Sequence, residues 1–223
     1  MKTTCFVLNS GRSRGFTLVE LLIVVGIVGI LAALLLPVLA RGRDKAQSIK
    51  CFSNLRQLYL ANTMYASEDY GRYCPAAPDL LTTNLVRWHG VREKISGDNW
   101  WDAVYSDYDP KKGPLAEYLP DSAVKECPVF FEYRRRGEIS NAFESGTGGY
   151  GYNGTYVGGS HHEYDWSDEA RYTVTALDSG VKEPGRTIMF ADAAYPLEDG
   201  LIEYGDLSPP YFPTPQNPTG DLN

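Results

Sequence analysis

The sequence predicts an α+β protein in which one long N-terminal helix precedes a domain of short strands and long loops. An apolar run extends from Phe16 to Ala40, and a helical spacing of apolar residues continues to about Ser67. The rest of the chain is rich in aromatic residues, glycine and proline, and all 16 tyrosines follow residue 58. This composition is typical of β-structure with long loops rather than of a helical bundle.

The apolar run is long enough to cross a membrane. At ~1.5 Å per residue, residues 16–40 form a helix of roughly 37 Å, against a hydrocarbon core of ~30 Å. Its single charge is Glu20, and an ionised carboxylate in hydrocarbon costs at least a few kcal/mol, which indicates a partner. The run exceeds the ~7–15 apolar residues of an ordinary secretory signal. A plain signal anchor is the stronger alternative.

Apolar residues then recur at steps of three and four and form one stripe, which predicts a continuous helix that packs on a sheet. The stripe consists of Cys51, Phe52, Leu55, Leu58, Tyr59, Asn62 and Tyr65.

Three later segments have the β-branched and aromatic content of strands: Thr173–Leu177, Thr187–Phe190 and Leu201–Tyr204. Tyr150–Val157 alternates glycine with tyrosine and predicts a strand or a turn-rich edge. Asp79–Pro120, which contains Trp88 and His89, is expected to be a loop-rich insert.

Residues 1–15 form a short basic segment that ends in Gly15, and Phe16-Thr-Leu-Val-Glu20 follows. This arrangement resembles the class III signal of type IV pilins and type II secretion pseudopilins. The resemblance implies that a prepilin peptidase cuts after Gly15 and methylates the new N-terminal Phe16. It also implies that Glu20 neutralises the N-terminal ammonium of a neighbouring subunit, and that Pro37 kinks the helix.

The same resemblance implies a pilin-like fold, in which the helix packs on a small antiparallel sheet. The expected regions are a leader (1–15), a transmembrane and assembly helix (16–40), an amphipathic helix (41–70) and an α+β head (71–223). The implied protein is a structural subunit rather than an enzyme. It crosses the inner membrane once, with its head in the periplasm or on the cell surface. Its implied partners are the peptidase, other pilin-like subunits, the inner-membrane assembly platform and membrane lipid.

The amphipathic helix and the head also resemble a large pseudopilin-like family. The resemblance rests on Cys51-Phe-Ser-Asn-Leu-Arg-Gln-Leu, on Glu126-Cys-Pro and on Tyr150-Gly-Tyr-Asn. That family usually carries a C-terminal element of His, nine residues and Asp-Gly, but here Met189 stands ten residues before Asp199. The Pro-rich segment Leu207–Asn223 contains no closing strand. We therefore expect the sequence to stop before the last element of the family.

Cleavage would remove Cys5 and leave three cysteines, which in an oxidising compartment predicts one disulfide and one free thiol. Cys74 and Cys127 each precede a proline in a similar loop context, and we pair them. A Cys51–Cys127 pair and unpaired core cysteines are the alternatives.

Acidic residues near the C-terminus offer oxygen ligands for Ca²⁺, with Asp192 and Asp199 as the candidates. Their spacing does not match an EF-hand, and the expectation is that the protein needs no cofactor. His161-His162 has no second pair of ligands at zinc spacing, so a solvated loop is expected there. No nucleophile, phosphate-loop or dinucleotide motif is found.

The net charge is −7. Without the leader it is −10, because 18 basic residues then face 28 acidic ones. Such a chain repels nucleic acid. An alternative function is a membrane-anchored envelope- or carbohydrate-binding module exported by the same leader. Its sugar-stacking residues would be Trp100 and Trp101.

Overall fold

The protein is described by a computed structural model for residues 16–97, 102–137, 139–140, 145–159, 173–197 and 200–207. The chain divides into two compact units, Met1–Lys45 and Ala46–Asn223. The leader 1–15 lies outside the described residues.

Helix α1, Leu18–Glu68, is the longest element and contains Pro37. Its end lies within a residue of the predicted one. There the backbone turns left-handed at Tyr70 (φ 51°) and Gly71 (φ 82°). The amide of Gly71 donates to the carbonyl oxygen of Ala66 at 2.8 Å. A backbone bond over five residues with a left-handed glycine is a common way to close a helix.

The second unit contains nine short strands within the described ranges. They are β1 Val86–Arg87, β2 Gly90–Val91, β3 Lys94–Ser96, β4 Val104–Tyr105, β5 Ile139–Ser140, β6 Tyr150–Tyr152, β7 Phe190–Asp192, β8 Ala194–Leu197 and β9 Gly200–Glu203. They form separate sheets with the orders β1-β2, β3-β4, β6-β7 and β5-β9-β8. All pairs are antiparallel except β5 with β9. The α+β class is thus confirmed, with small sheets in place of one.

A second helix, α2, spans Pro128–Arg135 and begins after Cys127. Pro128 occupies its first turn, where the missing N–H would have no partner within the helix. The described part of the chain also contains four single-turn 3₁₀ helices: Pro110–Lys112, Ala116–Tyr118, Pro120–Ser122 and Asp178–Gly180.

The core of the second unit lies between one face of α1 and the aromatic residues of β6 and β7. The buried residues of α1 are Cys51, Asn54, Leu58, Ala61, Asn62 and Ala66. Tyr150 and Tyr152 of β6 are fully buried, and the Tyr152 ring stacks on Phe190 with centroids 4.7 Å apart. The helical stripe therefore does pack on strands, as the spacing predicts.

Some sequence predictions are wrong in detail. Phe52 and Tyr59 of the predicted stripe are 73% and 49% exposed, because they lie at its outer edge. Thr173–Leu177 is not a strand: the Ala176 amide donates to Val157 O, and its carbonyl accepts from Tyr73 N, without a continuous ladder. The strand expected at Thr187–Phe190 begins only at Phe190.

The insert Asp79–Pro120 is more ordered than predicted, since β1 to β4 lie within it. Trp88 and His89 are both 1% exposed. The Trp88 indole Nε1 donates to the Gly205 carbonyl at 2.8 Å, so the insert is fixed to the C-terminal part of the described chain. The polar neighbours of Trp88 in the sequence suggested an exposed loop. A tryptophan can nevertheless be buried when a distant backbone carbonyl accepts a hydrogen bond from its N–H.

Candidate functional site

The N-terminus of α1 is closed by reciprocal hydrogen bonds between Thr17 and Glu20. The Glu20 amide donates to Thr17 Oγ1 at 3.2 Å, and the Thr17 amide and hydroxyl donate to Glu20 Oε2 at 2.9 and 2.7 Å. The Leu21 amide donates to the Thr17 carbonyl, so Thr17 is the N-cap and Glu20 is the third helical residue. This is a capping box, which satisfies two amides that the helix leaves without partners.

Sequence reasoning identified Glu20 but missed Thr17. The signal was available, since a threonine three residues before a glutamate at the start of an apolar run is the sequence signature of a capping box. The missed partner changes the chemistry: within one chain the Glu20 carboxylate already accepts two hydrogen bonds, while its negative charge is not neutralised by them.

Helix α1 is the one element among the described residues that is long and apolar enough to cross a membrane, judged by length and composition. Its first half exposes every apolar side chain, with Leu18 at 78% and Leu39 at 74%. So large an exposed apolar surface indicates contact with lipid or with other proteins. Pro37 lies inside this half.

The expected cleavage point lies between Gly15 and Phe16, and the structure describes the chain only from Phe16 onward. Phe16 is 71% exposed and, like Thr17, is not helical. Gly15 lies outside the described residues, so cleavage after it and methylation of Phe16 stay predictions. The structure brings Phe16, Thr17 and Glu20 together at the N-terminal end of α1.

The predicted Cys74–Cys127 disulfide is wrong. Cys127 pairs with Cys51, with their Cα atoms 5.1 Å apart, and joins α1 to the start of α2. Cys74 is a free thiol, and burial raises its pKa above the ordinary range. The similar proline contexts misled the prediction, because Cys74 lies in the core, where its amide donates to Asn62 Oδ1 at 2.9 Å.

A groove of about 430 Å³ opens beside the disulfide. Its walls are mainly apolar, and both cysteines and Asp192 line it. Partial burial raises the pKa of the Asp192 carboxyl, although Asp192 is an exposed residue at the end of β7. One ligand atom from each of Cys51, Cys127 and Asp192 lies within 4.8 Å of the other two. The three residues are far apart in the sequence, so their spacing gave no signal for this grouping.

The other acidic residues of the C-terminal region have different partners. Glu203 is 2% exposed, and its carboxylate accepts from Thr147 Oγ1 at 2.6 Å and from the Gly148 amide at 2.9 Å. Asp206 accepts from the Gly154 amide at 3.1 Å. Asp199 lies outside the described residues, so calcium binding by Asp192 and Asp199 stays a prediction. Trp100, Trp101, His161 and His162 also lie outside the described ranges.

Comparison with known proteins points to the N-terminal segment. Residues 10–36 match the family described as "Prokaryotic N-terminal methylation motif". The chain is 44% identical over 57 residues to the type IV major pilin protein PilA of Myxococcus xanthus, which is 26% of each chain. It is 42% identical over 62 residues to the type II secretion system core protein G of Pectobacterium carotovorum, which is 28% of this chain and 39% of that one. The same protein of Klebsiella pneumoniae is 44% identical over 62 residues, again 28% of this chain and 44% of that one.

The similarity thus spans less than half the length of the curated relatives that the chain matches. No solved structure matches the chain. The sequence resemblance to the prepilin signal is confirmed for residues 10–36.

Proposed function

We propose that this chain is a prepilin-like structural subunit that a prepilin peptidase cuts after Gly15 and methylates at Phe16. The mature chain then assembles with other pilin-like subunits into a type IV pilus-like or type II secretion pseudopilus filament. The observation that carries the proposal is the prepilin motif at residues 10–36, which runs into an apolar helix with exposed side chains.

The exposed first half of α1 requires two successive environments. In this proposal membrane lipid covers it before assembly, and the chain is a single-pass protein of the inner membrane with its head in the periplasm. After assembly, helices of neighbouring subunits replace lipid, and the head lies in the periplasm or on the cell surface. The inner-membrane assembly platform would move the subunit between these environments.

Glu20 supplies the charge for subunit pairing. Both hydrogen bonds from Thr17 go to Oε2 of the Glu20 carboxylate, and they leave a net negative charge at the end of an apolar helix. Cleavage after Gly15 would create an ammonium group at Phe16 in every subunit. Two opposite charges in a medium of low dielectric constant gain strongly from meeting, so the ammonium of a neighbour is the partner that chemistry favours.

Glu20→Ala tests this role, with Thr17→Ala as the matched control. Both substitutions remove the capping box, but Thr17→Ala keeps the carboxylate. We expect both proteins to be cut, and filaments of Glu20→Ala to fall at least about tenfold, since a loss of ~1.4 kcal/mol already gives that factor. Thr17→Ala should keep most of its filaments. Sheared filaments are quantified by immunoblot, and normal assembly of Glu20→Ala would refute the role of the carboxylate.

The relatives favour this function over an envelope- or carbohydrate-binding module, because they are named as a pilin and as secretion-system core proteins. None of these names describes an enzyme. In this proposal the chemistry of processing belongs to the partner peptidase, and this chain is its substrate.

A further inference from the structure

We propose that the second unit, when its disulfide is reduced, binds a thiolate-preferring divalent ion such as Zn²⁺ through Cys51, Cys127 and Asp192. In the oxidised protein the same two sulfur atoms are bonded to each other. One position would thus hold either a disulfide or a metal ion. The proposal concerns the second unit alone and does not depend on filament assembly.

Three different elements hold the three ligands together. Cys51 is on α1, Cys127 immediately precedes α2, and Asp192 is the last residue of β7. Their ligand atoms lie within 4.8 Å of one another. Ligands at ~2.0–2.3 Å from one zinc ion are separated by less than that limit, so small side-chain rotations suffice.

The backbone around the ligands is fixed by more than the disulfide. The Cys127 amide donates to the Gly148 carbonyl at 2.9 Å, and Asp192 pairs with Tyr150 in the β6-β7 sheet. Asn54, one turn along α1 from Cys51, donates to Tyr150 Oη at 2.9 Å. These bonds keep α1, the start of α2 and β7 in place after the S–S bond is broken.

The donor set selects the ion. Thiolates are soft ligands and favour zinc over calcium or magnesium, which prefer oxygen alone. Two thiolates and one carboxylate carry three negative charges, so the complex with a divalent ion has a net charge of −1. A fourth position would face the groove of about 430 Å³, where water or another ligand can complete a tetrahedron.

The redox step needs an external dithiol as the reductant. Its two S–H bonds break and its sulfurs form an S–S bond, while the Cys51–Cys127 bond breaks and each sulfur gains one electron and one proton. Binding of Zn²⁺ then releases the two thiol protons to solvent, so that both cysteines bind as thiolates. The groove gives the reductant access to sulfurs that are otherwise buried, with Cys51 5% and Cys127 4% exposed.

Cobalt titration of the full chain in detergent tests the proposal. The protein is reduced with a dithiol, freed of it without oxygen, and titrated with Co²⁺, whose bonds to thiolate absorb in the near ultraviolet. We expect one ion per reduced chain and the absorption of tetrahedral cobalt. The oxidised chain should show neither bound cobalt nor this absorption. Zn²⁺ should displace the cobalt.

Three variants separate the proposed ligands from other binding. Cys127→Ser should abolish the thiolate absorption, Asp192→Asn should weaken cobalt binding at least about tenfold, and Cys74→Ala should leave both unchanged. Asp192→Asn keeps the disulfide, so it folds before reduction, and circular dichroism of each reduced sample reports the fold. Absence of cobalt in the reduced wild type, equal binding by Asp192→Asn, or loss in Cys74→Ala would each overturn the proposal.

Discussion

Asn62 shows how single polar residues position the core of the second unit. It is fully buried on α1. Its Nδ2 donates to Tyr152 Oη at 3.0 Å, its Oδ1 accepts from the Cys74 amide at 2.9 Å, and Tyr152 Oη donates to the Cys74 carbonyl at 2.8 Å. This closed set of bonds fixes α1, the segment after it and β6 against one another. Buried polar groups of this kind are costly when a partner is lost.

Asn62→Ala should therefore lower the free energy of unfolding by roughly 2–4 kcal/mol, because two buried groups lose a partner. Urea denaturation followed by tryptophan fluorescence measures the change. Arg56→Ala, on the exposed face of the same helix, serves as the control and should shift stability by no more than about 0.5 kcal/mol. Equal effects of the two substitutions would contradict the role of Asn62.

Buried tyrosines make the second unit sensitive to alkaline pH. Burial raises the pKa of Tyr65 and of Tyr150 to about 12. The unfolded chain releases these protons near pH 10, so between pH ~10 and ~12 the folded state holds more protons. The free energy of unfolding is therefore at its full value below pH ~10 and falls as the pH rises through this interval.

Urea denaturation at pH values from about 9 to 11.5 checks this prediction. Tyr150→Phe should reduce the slope of stability against pH above pH ~10, since its phenol is one of the groups involved. A slope that Tyr150→Phe does not alter would show that this side chain titrates alike in both states.

Among the elements, α1 was the most predictable from sequence. Its apolar run and its helical stripe are local patterns, and no strong breaker stands between Gly42 and Gly71, so both its existence and its end follow from the residues. The face it buries was predicted with two errors, Phe52 and Tyr59. Asn54, which is buried, was not in the predicted stripe, because its hydrogen-bond partner Tyr150 is 96 residues away in the sequence.

The strands were less predictable because their partners are far away in sequence. Strand β6 pairs with β7 about 40 residues later, and each has three residues. Strands this short carry little periodicity, and their bounds depend on the partner. The disulfide raised the same difficulty, since 76 residues separate Cys51 from Cys127. The sequence alone determines neither the pairing of β6 with β7 nor the disulfide. Both follow from the fold.

The disulfide between α1 and the start of α2 should contribute substantially to stability. Closing a long loop restricts the unfolded chain, and removing such a bond usually costs about 2–5 kcal/mol. We expect Cys51→Ala to lower the free energy of unfolding by this amount and Cys74→Ala to cost less, about 1 kcal/mol, as a typical core change does.

Peptide mapping without reduction provides the direct check of the pairing. The account predicts one linked peptide pair that contains Cys51 and Cys127, together with an alkylated Cys74 after unfolding. A linked pair that contains Cys74 would contradict the structure.

At the scale of the whole molecule, the two units differ in how far their functional features could be predicted from sequence. The first unit holds the prepilin motif, which was identified from six neighbouring residues and matched by comparison over residues 10–36. The second unit was predictable only as an α+β head, because its groove, its disulfide and Asp192 come together through folding. Thus the function that we propose depends on a local motif, and the proposed metal site on tertiary structure.

The central claim is that a prepilin peptidase processes this chain, and the intact mass of the protein extracted from membranes tests it most directly. The account predicts a mass lower than that of the full chain by residues 1–15 and higher than that of the remainder by one methyl group. Tandem fragmentation should place the methyl group on the amine of Phe16. A protein that retains residues 1–15, or that is cut at any other bond, would contradict the account.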